Sequence, residues 1–93
     1  MEKMFDLREV KVEGHRLSFQ VNGVPVICDL SQTSPIFARA NAEQIARVVA
    51  DPVGVGFHWP ELDEDLSVNG ILRDLGIHLP SEKTKLVEKL QLA

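Results

Sequence analysis

The first third of the chain alternates apolar and polar residues in three short runs, a pattern typical of strands that bury one face. Asn22–Gly23 separates the second run from the third and is typical of a type I′ hairpin turn, because both central positions of that turn need a positive φ. Counting outward from this turn predicts three facing pairs on the apolar side: Val21 with Val24, Phe19 with Val26, and Leu17 with Cys28.

A second tight turn is predicted at Gly14–His15, with Gly14 at the first central position of a type II′ turn. Val12 then opposes Leu17, and Val10 opposes Phe19, on the same apolar face. Since the three runs agree on one buried face, the sequence predicts a three-stranded antiparallel meander.

The middle of the chain predicts a helix and a further strand. After a polar loop and the apolar segment Pro35–Phe37, Asn41 is placed to cap a helix, and Gln44 can complete a capping box. This helix should continue to the stop at Asp51–Pro52. Bulky residues then alternate with Gly and His from Val53 to Trp59, which predicts a fourth strand that joins the meander. The glycine side of that strand would let another backbone approach closely.

The last part of the chain predicts two helices. Ser67 can cap a short helix that stops at Gly76, and another helix is predicted to start at Ser81. The predicted fold class is α+β: an antiparallel meander of three strands plus a fourth strand, with two short helices on one face and a C-terminal helix. We expect one domain over residues 1–80 and a helical tail over residues 81–93. Leu86 and Leu90 could form the seam of a homodimer through that tail.

Composition narrows the class of protein. The chain has 93 residues and a formal net charge of −4, which favours one small acidic domain. Its densest acidic cluster would repel a phosphate backbone, so we expect no direct nucleic-acid binding by this domain. One cysteine allows no internal disulfide, and no apolar run has the length of a signal peptide or a membrane span. We therefore expect a cytoplasmic protein without membrane contact. The densest acidic cluster, called the acidic cluster below, consists of Glu61, Asp63, Glu64 and Asp65.

The stretch around Trp59 carries the candidate chemistry. The first interpretation of the acidic cluster is a solvated loop before the helix that Ser67 caps. Two of its negative charges would stabilise the N-terminus of that helix. His58 with Glu61 and Asp63 could instead form a metal-binding or metal-assisted hydrolytic centre. Trp59 could be a core residue or an interface anchor, and both readings are open.

The other candidates favour structural roles. Cys28 points inward on its strand, which favours an inert buried thiol over a nucleophile. His15 and His78 lie in a turn and a connector, where exposure to solvent is sufficient explanation. Gly54 and Gly56 lack the third glycine and the following helix of a dinucleotide fingerprint. We expect no cofactor and no catalytic residue.

The order of four segments resembles the bacterial family known as domain of unknown function 2442. These segments are Val26–Ser31, Pro35–Phe37, Phe57–Pro60 and Leu62–Val68. The resemblance implies a small α+β protein with a regulatory role, and it transfers no active site. In some members of the family a helix-turn-helix DNA-binding domain follows, and some members look like the antitoxin-like half of a two-gene pair. This chain is too short to hold a full helix-turn-helix domain, so direct DNA recognition is not expected.

Two classes of function follow. The preferred hypothesis is a non-catalytic, antitoxin-like interaction module that binds a small, basic protein through Trp59, Glu61, Asp63, Glu64 and Asp65. The alternative is a small metal-binding or metal-assisted hydrolytic domain centred on His58, Glu61 and Asp63. Binding to a second copy through the tail from Ser81 is a further possibility.

Overall fold

Residues 4–79 are described by a computed structural model, which has two three-stranded antiparallel sheets and three short helices. The predicted α+β class is confirmed. The helix predicted from Ser81 lies outside the described residues. The elements are β1 Leu7–Glu13, β2 Arg16–Val21, β3 Val24–Asp29, a 3-10 turn Leu30–Gln32, α1 Pro35–Arg39, α2 Ala42–Ala46, β4 Val49–Ala50, β5 Gly56–Trp59, β6 Glu64–Ser67 and α3 Val68–Leu75.

The first sheet has the order β1-β2-β3 and is the predicted meander. Asn22 and Gly23 both have positive φ, at 51° and 83°, as a type I′ turn needs. Gly14 also has a positive φ, of 59°. The three predicted pairs between β2 and β3 are confirmed: Val21 with Val24, Phe19 with Val26, and Leu17 with Cys28.

A β-bulge in β1 changes part of the predicted register. Val12 faces Leu17 as predicted, but the register shifts between Arg8 and Lys11, so the predicted pairing of Val10 with Phe19 is wrong. Glu9 takes up the extra residue with a φ of 52°. The shift brings Leu7 opposite Val21 and keeps it on the apolar side. Without the bulge, a charged Arg would point to the core.

The predicted fourth strand exists, but it does not join the meander. It begins at Gly56 rather than Val53, and it is the central strand of a second sheet with the order β4-β5-β6. Val49 pairs with His58 in this sheet, although Val49 was predicted to belong to a helix. Helix α2 ends at Ala46, and the segment that follows forms β4.

The helix caps follow their local signals. Asn41 and Gln44 form the predicted capping box at the start of α2, with bonds of 2.8 and 3.0 Å. Ser67 caps α3 by accepting a bond from the Gly70 N–H at 2.9 Å, and Gly76 ends α3 with a φ of 70°. The apolar segment Pro35–Phe37, for which no secondary structure was predicted, lies in helix α1, which Ser34 caps.

The two sheets share one core. Phe19 of β2 packs against Phe57 of β5 with ring centroids 4.8 Å apart, which joins the sheets directly. Phe37 of α1 meets Trp59 edge-on at 4.7 Å. No polar or charged residue is fully buried in the described part of the chain. None of its helices has the length and apolar character needed to cross a membrane.

Gly54 and Gly56 occupy places where backbone approaches backbone, as predicted. A Cβ at Gly54 would collide with the carbonyl of Phe5, and the φ of Gly54 is 79°. A Cβ at Gly56 would collide with the carbonyl of Leu66 on β6. The N-terminal segment is tied to the same loop, because the Met4 N–H donates to the Val53 carbonyl at 2.7 Å.

Candidate protein-interaction site

The acidic run forms a β-hairpin rather than the predicted loop. β5 ends at Trp59, the chain turns, and β6 starts at Glu64, so half of the acidic cluster lies on a strand. The Leu62 N–H donates to the Trp59 carbonyl at 3.1 Å inside the turn. Asp63 adopts a φ of 49°, a left-handed conformation that Asp tolerates better than most residues. The loop prediction missed β6 because charged residues disfavour strands in isolation.

Trp59 lies in the core, so of the two roles considered for it the core role is the one that the structure supports. Its side chain is 0% exposed. Its indole N–H donates to the carbonyl of Ile45 in α2 at 2.9 Å, so the one polar atom of the ring is also satisfied. A partner therefore has no access to Trp59. Its role is to hold the hairpin against α2 and the rest of the core.

Two polar pairs fix the hairpin from outside. The guanidinium of Arg47, just after α2, donates to the Glu61 carboxylate at 2.7 Å. His58 and Asp65 face each other across β5 and β6, with Nδ1 and Oδ1 2.6 Å apart. Both pairs are largely exposed, so each adds little to stability but restricts where the carboxylates point. Asp63 and Asp65 remain open to solvent.

The predicted metal constellation is not formed. His58 is paired with Asp65 and Glu61 with Arg47, whereas Asp63 stands at the turn. Over residues 4–79, no three side chains of the His, Cys, Asp and Glu types are grouped to hold a metal ion. The hydrolytic alternative therefore has no geometric support.

The outer face of the second sheet is an apolar cleft of about 380 Å³. Val49 and Val55 are 52% and 41% exposed there, and Pro52 adds to the apolar wall. His58 and Asp65 line the same cleft. Among the described residues, nothing covers this face of the sheet, so apolar surface remains available beside the acidic hairpin.

A second and larger cleft, which we call the acidic cleft, opens between the two sheets. Its volume is about 730 Å³. β3 supplies one wall through Cys28 and Asp29, while β6 and α3 supply the other through residues that include Asp65 and Asp74. Within residues 4–79, β3 and β6 each pair with a single neighbouring strand, so both are edge strands. This arrangement brings two free strand edges to a single cleft.

The charges around the acidic cleft act on the groups inside it. Burial, with the nearby carboxylates Asp29 and Asp74, raises the pKa of the Cys28 thiol. Cys28 is buried as predicted, and the raised pKa keeps the thiol neutral and unreactive. The hydroxyl of Ser31 donates to Asp29 at 2.6 Å, and this bond lowers the pKa of the Asp29 carboxyl.

The two remaining histidines, His15 and His78, were predicted to be exposed to solvent without a further role. His78 is exposed. His15, however, is half-buried and its Nε2 lies 2.8 Å from the Ala40 carbonyl, which ties the first hairpin turn to the end of α1. The sequence offered no signal for this contact, because the two residues are far apart in the chain.

Comparison with known proteins identifies the family. Residues 7–75 match the family described as "Protein of unknown function (DUF2442)". The chain belongs to this family. No curated protein and no solved structure matches the chain. The matched range includes both sheets and α3, so the hairpin and both clefts lie within the DUF2442 domain.

Some residues of the site were not predicted from the sequence. Asp29, Asp74 and Arg73 meet at the acidic cleft, although they belong to β3 and α3. Arg47 follows α2 and lies four residues after Glu43 in the chain, yet it binds Glu61 of the hairpin. Neither arrangement has a local sequence signal, because both depend on how the second sheet packs.

Proposed function

We propose that this DUF2442 domain is a non-catalytic protein-interaction module, of the kind that serves as an antitoxin-like regulatory subunit, and that it binds a small basic protein. The observation that carries the proposal is the acidic hairpin, held by two outer polar pairs, beside an apolar cleft that no other part of residues 4–79 covers. The proposal differs from the sequence-based hypothesis in one respect: the apolar cleft replaces Trp59 as the apolar part of the surface.

The hairpin supplies the electrostatic part of recognition. Asp63 and Asp65 are exposed, and the two outer polar pairs hold the backbone that carries them. A carboxylate that is held in place loses less conformational entropy when a lysine or arginine binds to it. Exposed charges of one sign mainly accelerate association with an oppositely charged partner and exclude partners of like charge.

The apolar cleft supplies the surface whose burial stabilises a complex. Val49, Val55 and Pro52 offer apolar area, and Asp65 stands at the rim. An apolar core with a charged rim is the usual anatomy of a protein interface. A basic protein with an apolar side chain next to its lysine or arginine residues fits this surface.

The test is an interaction measured before and after neutralising the hairpin. The full chain is expressed in its native host and cross-linked, and the recovered protein is identified and purified. Calorimetry then measures its binding to the wild type and to the variant Asp63→Asn with Asp65→Asn. We expect affinity to fall about tenfold, mostly through slower association at low salt. Asn retains the left-handed conformation at position 63, so the hairpin should persist.

The matched control is Glu13→Gln with Glu43→Gln, which changes the net charge equally on exposed positions of β1 and α2. This control should bind like the wild type. The proposal fails if the chain is recovered without a partner, or if both double variants bind as the wild type does.

A further inference from the structure

The inference rests on the proposed function and specifies how the partner binds. We propose that an extended, basic segment of the partner lies in the acidic cleft as an additional strand along the free edge of β6. The occupant is thus a stretch of polypeptide in β conformation, recognised through its backbone and through its positive side chains.

The direction of the backbone groups on β6 follows from the hydrogen bonds of the hairpin. Antiparallel strands alternate between pairs that exchange hydrogen bonds and pairs that do not. The Val68 N–H donates to the Val55 carbonyl at 2.9 Å, so the bonded pairs continue at Phe57 with Leu66 and at Trp59 with Glu64. The residues between them, Asp65 and Ser67, direct their N–H groups away from β5. Within residues 4–79, neither N–H has a hydrogen-bond partner.

β3 on the opposite wall shows the same alternation of backbone groups. A two-residue hairpin turn makes Val21 and Val24 a bonded pair, so Ile27 and Asp29 point their N–H and C=O groups away from β2. In the described part of the chain, no backbone bond reaches the N–H of either residue. Of these two residues, Asp29 lines the acidic cleft, so a strand there would meet the backbone groups of Asp29 on one side and those of Asp65 and Ser67 on the other.

The charges select the class of segment. Asp29, Asp65 and Asp74 line the acidic cleft, and Arg73 is the one basic residue that the described part of the chain contributes to its lining. β6 also carries Glu64 next to Asp65. A second copy of the chain would bring the same carboxylates against these, and its net charge is −4. Like charges on paired edge strands disfavour self-association, so the occupant is a basic segment of another protein.

The direct test uses a short synthetic peptide of alternating lysine and valine as the probe and the full chain as the receptor. Amide exchange measured with and without the peptide should show protection of the N–H groups of Asp65 and Ser67. A peptide of the same sequence with methylated backbone nitrogens keeps the charge and loses the donors. It should bind about tenfold more weakly, since several hydrogen bonds are lost.

Two pairs of variants locate the site. Asp74→Lys reverses a cleft carboxylate on α3, and Glu43→Lys makes the same change on exposed α2. We expect only the former to weaken peptide binding, by about fivefold. Asp65→Pro and Asp65→Asn both remove the charge, but only the former removes the outward N–H. The bond ladder to β5 does not use that N–H, so Pro is compatible with this edge position.

The outcomes separate the two proposals. Equal binding of the methylated and unmethylated peptides, or protection that excludes Asp65 and Ser67, overturns strand addition while the interaction module stands. An absence of peptide binding also overturns strand addition. If the purified partner itself shows no dependence on the hairpin carboxylates, the proposed function fails instead. Near-ultraviolet circular dichroism of each variant confirms that the second sheet is intact.

Discussion

The two sheets of this domain have the same number of strands but differ in strand length and in origin. The first consists of neighbouring strands joined by two tight turns, and every strand follows directly from the previous one. The second combines the two residues of β4 with a hairpin that starts several residues later. Its central strand depends on Phe57 and Trp59 being buried against other elements. Local turn chemistry is sufficient for the first sheet, whereas the second needs the common core.

This difference coincides with where the candidate site lies. The first sheet contributes one wall of the acidic cleft, but the acidic hairpin and the apolar cleft both belong to the second sheet. A hairpin held by a buried indole can carry several like charges at its tip, because the packing of Trp59 offsets their repulsion. The part of the molecule with the weaker local signals therefore supplies most of the proposed binding surface.

The largest expected effect comes from removing the anchor of the second sheet. Trp59→Ala should lower the free energy of unfolding by about 3–5 kcal/mol, because a large cavity opens in the core. Amide exchange should accelerate more in β4–β6 than in β1–β3. Denaturant unfolding followed by circular dichroism measures the first effect and hydrogen exchange the second.

Ile27→Ala is the control for that substitution. Ile27 is 62% exposed on the first sheet, and its loss should change stability by less than about 0.5 kcal/mol. Equal acceleration of exchange in the two sheets by Trp59→Ala would show that the second sheet does not depend on the buried indole more than the first.

Replacing a glycine in a loop of each sheet should have an intermediate effect on the free energy of unfolding. Gly23 and Gly54 both have positive φ, but only Gly54 has a backbone against the place of a Cβ. Gly23→Ala should cost about 1–2 kcal/mol for the left-handed conformation alone. Gly54→Ala should cost more by about 1–3 kcal/mol, because Phe5 must also move. Thermal and denaturant unfolding of the two variants measures the difference, and equal costs would show that the N-terminal segment is not held against this loop.

The smallest effect concerns acid stability at the end of the first sheet. The bond from Ser31 lowers the pKa of Asp29, so the folded state favours its ionised form. The stabilisation is present above the ordinary pKa of about 3.8 and is lost as the pH falls through the lowered value. Asp29→Asn should therefore weaken the dependence of stability on pH below about pH 4. Asn also caps the 3-10 turn, which keeps the local structure.

Urea unfolding across this pH range, with Glu43→Gln as the background variant, provides the measurement. An unchanged acid limb in Asp29→Asn would mean that the contact with Ser31 does not persist in solution.

Much of the fold could be predicted where a signal is local. Asn22–Gly23, the capping pair Asn41 and Gln44, and the Gly76 stop were each recognised from neighbouring residues, and all were found. The boundaries around Val49 were wrong, because a helix pattern continued past the point where β5 offers it a strand partner. The charged strand β6 was missed for the same reason: its conformation is decided by pairing with β5. The exposure of Trp59 could not be decided from its neighbours, since Ile45 and Phe37 bury it.

The amino-acid sequence by itself determined the meander, its register between β2 and β3, the helix caps and the acidic character of one surface. These depend on φ preferences, on side-chain alternation and on charge, all of which act between residues close in the chain. Only the tertiary structure decided that β5 belongs to a second sheet, that Trp59 is inaccessible, and that two free strand edges meet at one cleft. Those features arise from contacts between distant residues, because burial of apolar surface does not depend on separation along the chain.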